Sequence, residues 1–415
     1  MLLRHVPFLK AVLLHSVTAF GGPTGHYGMM QKTFVEKRKD ITPDELMDFY
    51  GFTSLLPGAG STQMLTLIGY KRGGVALALV TLLVWIMPAC ILMSGLSFIF
   101  RYRYIAGINN NVFIFIQPMA IGFLIFAAAQ MFKLGVKNTI TWCLMLVSGV
   151  ITFVFFKSPW VFPTLIIAGG IATNFSKKRI PPLSQKPKIV NYSHIIIFAV
   201  IFILAGIFSE IARTQKWKSR SFFNLFEITY RQGSIVFGGG NVLIPYMVEQ
   251  YAERPKFKQN DEEIIRIAKD DILTGAGIVR AIPGPVFSIA AYIGGISMKN
   301  KSILSQFGGC LIGAIAIFLP SALLVLFFYP VWANLKKYAV VYRALEGINA
   351  VVVGLLIASI AFITFNSNVF NLNTESIIDL AVILLTFLML KFTKFPSYLV
   401  AICMLLFGVM YNAYF

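Results

Sequence analysis

The chain interrupts its own apolar segments with glycine and proline, and does so twice in the same order. Phe20-Gly21-Gly22-Pro23, followed by Leu56-Pro57-Gly58-Ala59-Gly60-Ser61-Thr62, returns as Phe237-Gly238-Gly239-Gly240, followed by Ile282-Pro283-Gly284-Pro285. Glycine and proline continue a helix poorly, so each interruption leaves backbone polar groups without their usual partners. In hydrocarbon such backbone survives only where protein encloses a cavity. Broken segments at matching places in two halves are the sequence pointer to a transporter's central site.

That reading needs a membrane, and composition supplies it. Of 415 residues 57% are hydrophobic and 13% charged, with a mean hydropathy of +0.75. Charge-free runs at 74–100, 112–132, 138–156 and 395–415 approach or exceed the roughly 20 residues that cross a bilayer. The expected fold class is an all-α polytopic membrane protein of the plasma membrane. The net charge of +19 sits in short connections between apolar runs, which fits anionic lipid and argues against nucleic acid. Cys90, Cys143, Cys310 and Cys403 stand singly, so no disulfide or metal site is expected. The 4 His and 4 Cys are too scattered for an intramembrane enzyme, and no catalytic residue or cofactor is expected. The N-terminus carries no signal-peptide cleavage pattern. No Gly-x4-Gly-Lys-Ser/Thr sequence is present, so the drive should be an ion gradient or exchange.

Phe20 aligns with Phe237, Pro57 with Pro283, Pro88 with Pro320 and Gly122 with Gly354, which makes an internal repeat of most of the chain. The expected division is a first repeat at 1–175, a basic linker and connecting helix at 176–221, and a second repeat at 222–415. Seven crossings are expected before the second repeat, at 11–31, 49–70, 74–100, 112–132, 138–156, 159–175 and 193–209. Six follow near 222–248, 272–298, 303–330, 347–370, 376–390 and 395–415. With about 13 transmembrane segments and an odd number between equivalent points, the halves become inverted repeats built on broken helices. A cytoplasmic N-terminus then puts 21 lysines and arginines inside against 13 outside, with Arg231 and Arg280 within segments, and leaves the C-terminus outside. A re-entrant broken segment would change this parity.

Consecutive glycines let backbone N–H groups converge on an anion, and a helix starting after Pro57 or Pro283 aims its positive end at the same place. The candidate substrate-binding residues are Gly21, Gly22, Gly58, Ser61, Thr62, Gly238, Gly239, Gly240, Arg280 and Gly284, with Gln63 and Ser288 as further neutral donors. Close helix packing is the competing role for the glycines. Arg280 is the only charge between Ile272 and Met298, and its planar fork suits a tetrahedral oxyanion. Its competing role is a structural pair with Asp270, Asp271 or Glu227. Glu227 and His26 are candidate coupling groups, although Glu227 stands one helical turn from Arg231 and His26 is equally a packing residue.

With Val35-Glu36-Lys37-Arg38 and Ile68-Gly69-Tyr70 between and after these motifs, and Ile293-Gly294 in the second half, the chain resembles the long, two-domain chromate ion transporters. Ala59 departs from that family's pattern, which has a second proline there. The resemblance implies a secondary active exporter of chromate or a similar divalent oxyanion, giving chromate resistance. Sulfate is the natural structural analogue. A sulfate or other inorganic anion transporter of the same fold and an anion channel are the alternatives. The coupling ion is open, and a homodimer is compatible with this architecture.

Overall fold

The structure is a computed structural model that describes residues 2–20, 22–106, 111–156, 161–175, 192–254, 264–335, 339–365, 374–393 and 395–414. Gly21 and all of the basic linker but Tyr192 lie outside them. The described residues form helices and no strand. Among the described residues five helices are long and apolar enough to cross a membrane: Gly60–Tyr102, Ile116–Gly135, Ser193–Thr214, Ile303–Trp332 and Arg343–Phe365. Large apolar side chains such as Leu83, Ile91, Ile203, Leu384 and Leu406 stay exposed on the outer surface, as lipid-facing residues do. The chain is a membrane protein.

The repeat recurs in the element order. In the first half α1 (Val6–Thr18), α2 (Gly22–Met30) with a π-helical extension (Gln31–Lys37), α3 (Pro43–Thr53) and α4 (Gly60–Ala106) follow one another. Next come α5 (Ile116–Gly135), α6 (Thr139–Val154) and α7 (Val161–Ala172). After α8 (Ser193–Thr214), the second half opens with α9 (Arg220–Ile235), α10 (Gly240–Val248) with its own π-helical extension (Glu249–Glu253), and α11 (Lys269–Ile278). It continues through α12 (Ile289–Ser297), α13 (Ile303–Leu335), α14 (Ala339–Phe365), α15 (Thr374–Phe392) and α16 (Ser397–Tyr414). Gly73 and Gly74 leave helical geometry inside α4, so its first segment matches α12 and its second matches α13.

The four broken segments do not run straight through. Each folds back on itself as a hairpin whose glycine-containing stretch is the tip. In the first hairpin, the Arg38 guanidinium at the end of the α2 extension donates to the Pro7 carbonyl at the start of α1 (3.2 Å), and Phe34 packs on Phe8. In the second, Thr42 and Glu45 form a reciprocal cap at the start of α3, and Glu45 pairs with Lys71 near the end of the first α4 segment. In the third, Arg231 of α9 reaches Tyr246 of α10 (3.2 Å) and Thr229 meets Tyr251 (3.3 Å). In the fourth, Tyr292 donates to the Asp271 carbonyl (2.9 Å) and Lys299 pairs with Asp271 (3.1 Å). A straight broken helix would hold such residues some 20–45 Å apart at about 1.5 Å per residue. These contacts do not fit a straight helix at 11–31, 49–70, 222–248 or 272–298. Segment length alone cannot tell one crossing from two short arms folded about a tip.

The two sets of hairpins have their bases at opposite ends of long helices. The base of the first-half set gathers Arg38, Asp40, Glu45, Lys71 and Arg72, with Asp40 held by both Arg38 (2.8 Å) and Arg72. From there the second segment of α4 runs roughly 40 Å to Arg101, at about 1.5 Å per residue. Arg101 donates to the Lys301 carbonyl (2.6 Å), beside the second-half base. α13 returns from Ile303 to Trp332, whose indole donates to Asp48 of α3 (3.3 Å). Small residues let these helices close on one another. A Cβ on Gly294 of α12 would stand 2.1 Å from the Gly309 carbonyl oxygen of α13.

Candidate functional site

Midway along the long helices the tips of the two halves meet, and they do so reciprocally. Gly58 N–H donates to the Val236 carbonyl (2.7 Å), and Gly284 N–H donates to the Ala19 carbonyl (2.9 Å). Gly58 and Gly284 are equivalent positions, as are Ala19 and Val236, so each Pro-Gly tip closes on the residue before the other half's Phe-Gly tip. Both glycines need their missing side chain. Gly58 has φ +108° and Gly284 φ +110°, which favour glycine, and both are tightly packed. A Cβ on Gly58 would lie 1.9 Å from Ser321 Oγ, and one on Gly284 would lie 2.8 Å from Ala89 Cβ. Ser321 and Ala89 are again equivalent positions, each one residue past the helix proline.

This pairing gives Ala59 a physical reason. Its backbone N–H donates to Ser321 Oγ (3.3 Å), a bond that proline cannot make. At the matching place in the second half, Pro285 has no N–H and Ala89 has no hydroxyl, so the hydrogen-bonding pair in one half is an apolar pair in the other.

α2, the first α4 segment and α10 all begin at tips, as α12 does one short 3-10 turn after Pro285. Four helix N-termini, whose first-turn N–H groups have no intrahelical partners, therefore bring their positive dipole ends to the junction. The negative ends of α1 and α9 are partly engaged, since the Ala19 and Val236 carbonyls accept the cross-half bonds.

Arg280 stands at this junction. Its Nη2 donates to Asn241 Oδ1 (2.7 Å) in the first turn of α10, and its guanidinium lies over the Phe123 ring of α5, 5.0 Å from the centroid. Nε is buried without a partner, while the residue as a whole keeps some accessible surface. None of the carboxylates weighed against it is a partner: Asp271 pairs with Lys299 (3.1 Å), Glu227 pairs with Arg231 (2.7 Å), and among the described residues Arg280 makes no ion pair. A guanidinium set deep in protein with one neutral partner holds unused donors for an anion.

The remaining predicted residues divide. Gly238 (φ +83°) and Gly239 (φ +74°) lead into α10 beside Asn241, and a Cβ on Gly239 would meet open space. A Cβ on Gly240 would instead press on Val286 at 2.5 Å, so this glycine serves close packing of the third tip on the fourth. Gly22 opens α2. Ser61 and Thr62 are buried, and the Thr62 hydroxyl accepts from Trp85 Nε1 (3.0 Å). Gln63 Nε2 donates to the Pro57 carbonyl (2.8 Å), bracing its own tip, and the Ser288 hydroxyl is buried without a partner. Glu227 makes the intrahelical pair that its spacing offered. His26 is buried edge-on to Trp85, 5.3 Å between centroids. Sequence reasoning missed Asn241, Phe123 and Ser321. Asn241 follows the triple glycine directly, but its partner lies 39 positions away and no local pattern joins them.

The family model described as chromate transporter matches residues 7–174 and 223–410, one stretch in each half. The chain belongs to the chromate transporter family. Its relatives include the chromate transport protein of Cupriavidus metallidurans, 22% identical over 90% of this chain and 85% of that one. The chromate transport protein of Pseudomonas aeruginosa is 21% identical over 84% of this chain and 77% of its own length. An uncharacterized transporter of Methanocaldococcus jannaschii is 24% identical over 94% of this chain and 90% of that one. No solved structure matches the chain. As a chromate transporter family member, the protein is a membrane transporter, and an oxyanion substrate is what the family implies.

Proposed function

We propose that the protein is a secondary active transporter that exports chromate or a similar divalent oxyanion across the plasma membrane, binding it where the four tips meet. The observation that carries the reading is Arg280: a guanidinium without a carboxylate, held by Asn241 at the N-terminal end of α10. A tetrahedral dianion there gains a charge-assisted fork and nearby helix N–H groups. Gly238 and Gly239 let the backbone approach, with Gly22, Gly58 and Gly284 shaping the surrounding tips. Radiolabelled chromate uptake into proteoliposomes, with imposed proton or sodium gradients and sulfate as competitor, tests it. Saturable, gradient-driven uptake is expected. Non-saturating flux indifferent to counter-gradients would indicate a channel, and preferential sulfate transport would make chromate a mimic.

The same reading makes the halves inverted repeats around a midplane site, crossing nine times instead of thirteen. Only the second α4 segment, α5 to α8 and α13 to α16 cross. Two re-entrant hairpins per half still leave five crossings between equivalent points, an odd number, so the inversion survives. Support comes from the hairpin bases at opposite ends of α4 and α13 and from the reciprocal tip bonds. The basic excess remains on the N-terminal face, taken as cytoplasmic, because refolding exchanges only loops of similar charge between faces. In a cysteine-free background, Lys37→Cys and Ser184→Cys should resist an impermeant thiol reagent added outside, whereas Lys218→Cys should react. Outside labelling of Lys37→Cys would restore the straight crossing.

A further inference from the structure

Behind the first tip, two histidines share one tryptophan. His15 stacks on Trp85 (centroids 5.3 Å apart, interplanar angle 29°), and His26 meets the same ring edge-on (5.3 Å, 89°). Both are almost fully buried, at 2% and 1% exposure, and none of their four ring nitrogens completes a hydrogen bond. Each neutral imidazole has a donor and an acceptor to satisfy, so this arrangement is costly unless the rings have another use. α4 presents Trp85, whose Nε1 is engaged by the Thr62 hydroxyl, and the α2 extension presents Phe34 to His15. Among the described residues no carboxylate, lysine or arginine acts electrostatically on either ring, and the one titratable neighbour of His15 is His26. His26 also lies close enough to the Ala19 backbone to be drawn to its carbonyl, the group that accepts Gly284 N–H from the other half.

We propose that His15 and His26 form a proton-binding site behind the first tip, and that its occupancy controls the Ala19 to Gly284 contact between the halves. Repulsion between two cations limits the pair to one proton. Trp85 stabilises the imidazolium through its ring face. A protonated His26 becomes a charged donor beside the Ala19 carbonyl, where it weakens the neutral Gly284 bond. The device belongs to one half only. The positions matching His15, His26 and Trp85 are Gln232, Leu243 and Ile317, so the repeat itself shows that neutral residues fit this packing.

The titration is tested on full-length protein independently of transport. With Trp142, Trp160, Trp217 and Trp332 replaced by phenylalanine, Trp85 emission should fall reversibly as pH drops from about 7 to about 3, because burial disfavours the charged rings and holds their protonation below the usual histidine range. His15→Gln or His26→Leu, each borrowing the other half's residue, should at least halve that amplitude, and the double variant should abolish it. The hydrogen-exchange protection of Gly284, corrected for intrinsic rate, should drop over the same pH interval and become flat in His26→Leu. Emission indifferent to pH, or a double variant that titrates like the parent, would overturn the proton site. Gly284 protection unchanged across the titration would overturn its control of the contact. The consequence for flux rests on the transporter reading: a titrating pair in a protein that moves no oxyanion upholds the site and defeats that reading instead.

Discussion

Arg280→Gln is expected to abolish oxyanion transport while the protein still reaches the membrane folded. Arg280 has no carboxylate to strand, so its neutralisation removes a buried charge without leaving another uncompensated. Stability without ligand should hold or rise slightly, the opposite of what breaking a structural ion pair does. Arg280→Lys keeps the charge but loses the planar fork, and should weaken apparent affinity about tenfold, roughly 1.4 kcal/mol. Thermal unfolding of purified protein, with and without chromate or sulfate, separates the cases. The parent should be stabilised by ligand and Arg280→Gln should not. A glutamine variant stabilised to the parent's extent would remove Arg280 from the site. Asn241→Ala should fall between, because it frees the guanidinium without deleting it.

The second large effect lies at the tip. Gly58→Ala forces a side chain into φ +108°, which costs about 1–3 kcal/mol, and drives a Cβ to 1.9 Å from Ser321 Oγ, which adds an overpacking cost of about 1–3 kcal/mol. Most of the variant should fail to elute as a monodisperse folded species. Ser321→Ala added to it should recover part of the loss, since it removes the offending oxygen, but not the backbone strain. A Gly58→Ala protein with the parent's melting temperature would show that the tip is not held as described.

The duplicated tips were readable because glycine and proline act on their own backbone. Phe20, Pro57, Phe237 and Pro283 could be aligned by eye, and the elements around them recur in that alignment. The fold-back was not readable. An apolar stretch such as 11–31 has the length of a crossing, and only contacts such as Phe8 with Phe34 reveal two arms. Arg280 could be singled out as a lone charge in an apolar run, yet its freedom from carboxylates depends on where Lys299 and Arg231 sit. Ala59 looked like a blemish in a motif. Its sense lies in Ser321, 262 residues away, a distance that no local pattern bridges.

α8 has no counterpart in either half, and only 6% of its apolar stretch is buried within the chain. Its contribution is arithmetical. On the proposed path it is the fifth passage, the one that delivers the next hairpin to the face opposite the first. Its register and most of its side chains can drift, provided that length and greasiness persist. Lose one traversal, and all four hairpins would be rooted on the same shore, with no pair left to meet the other from across.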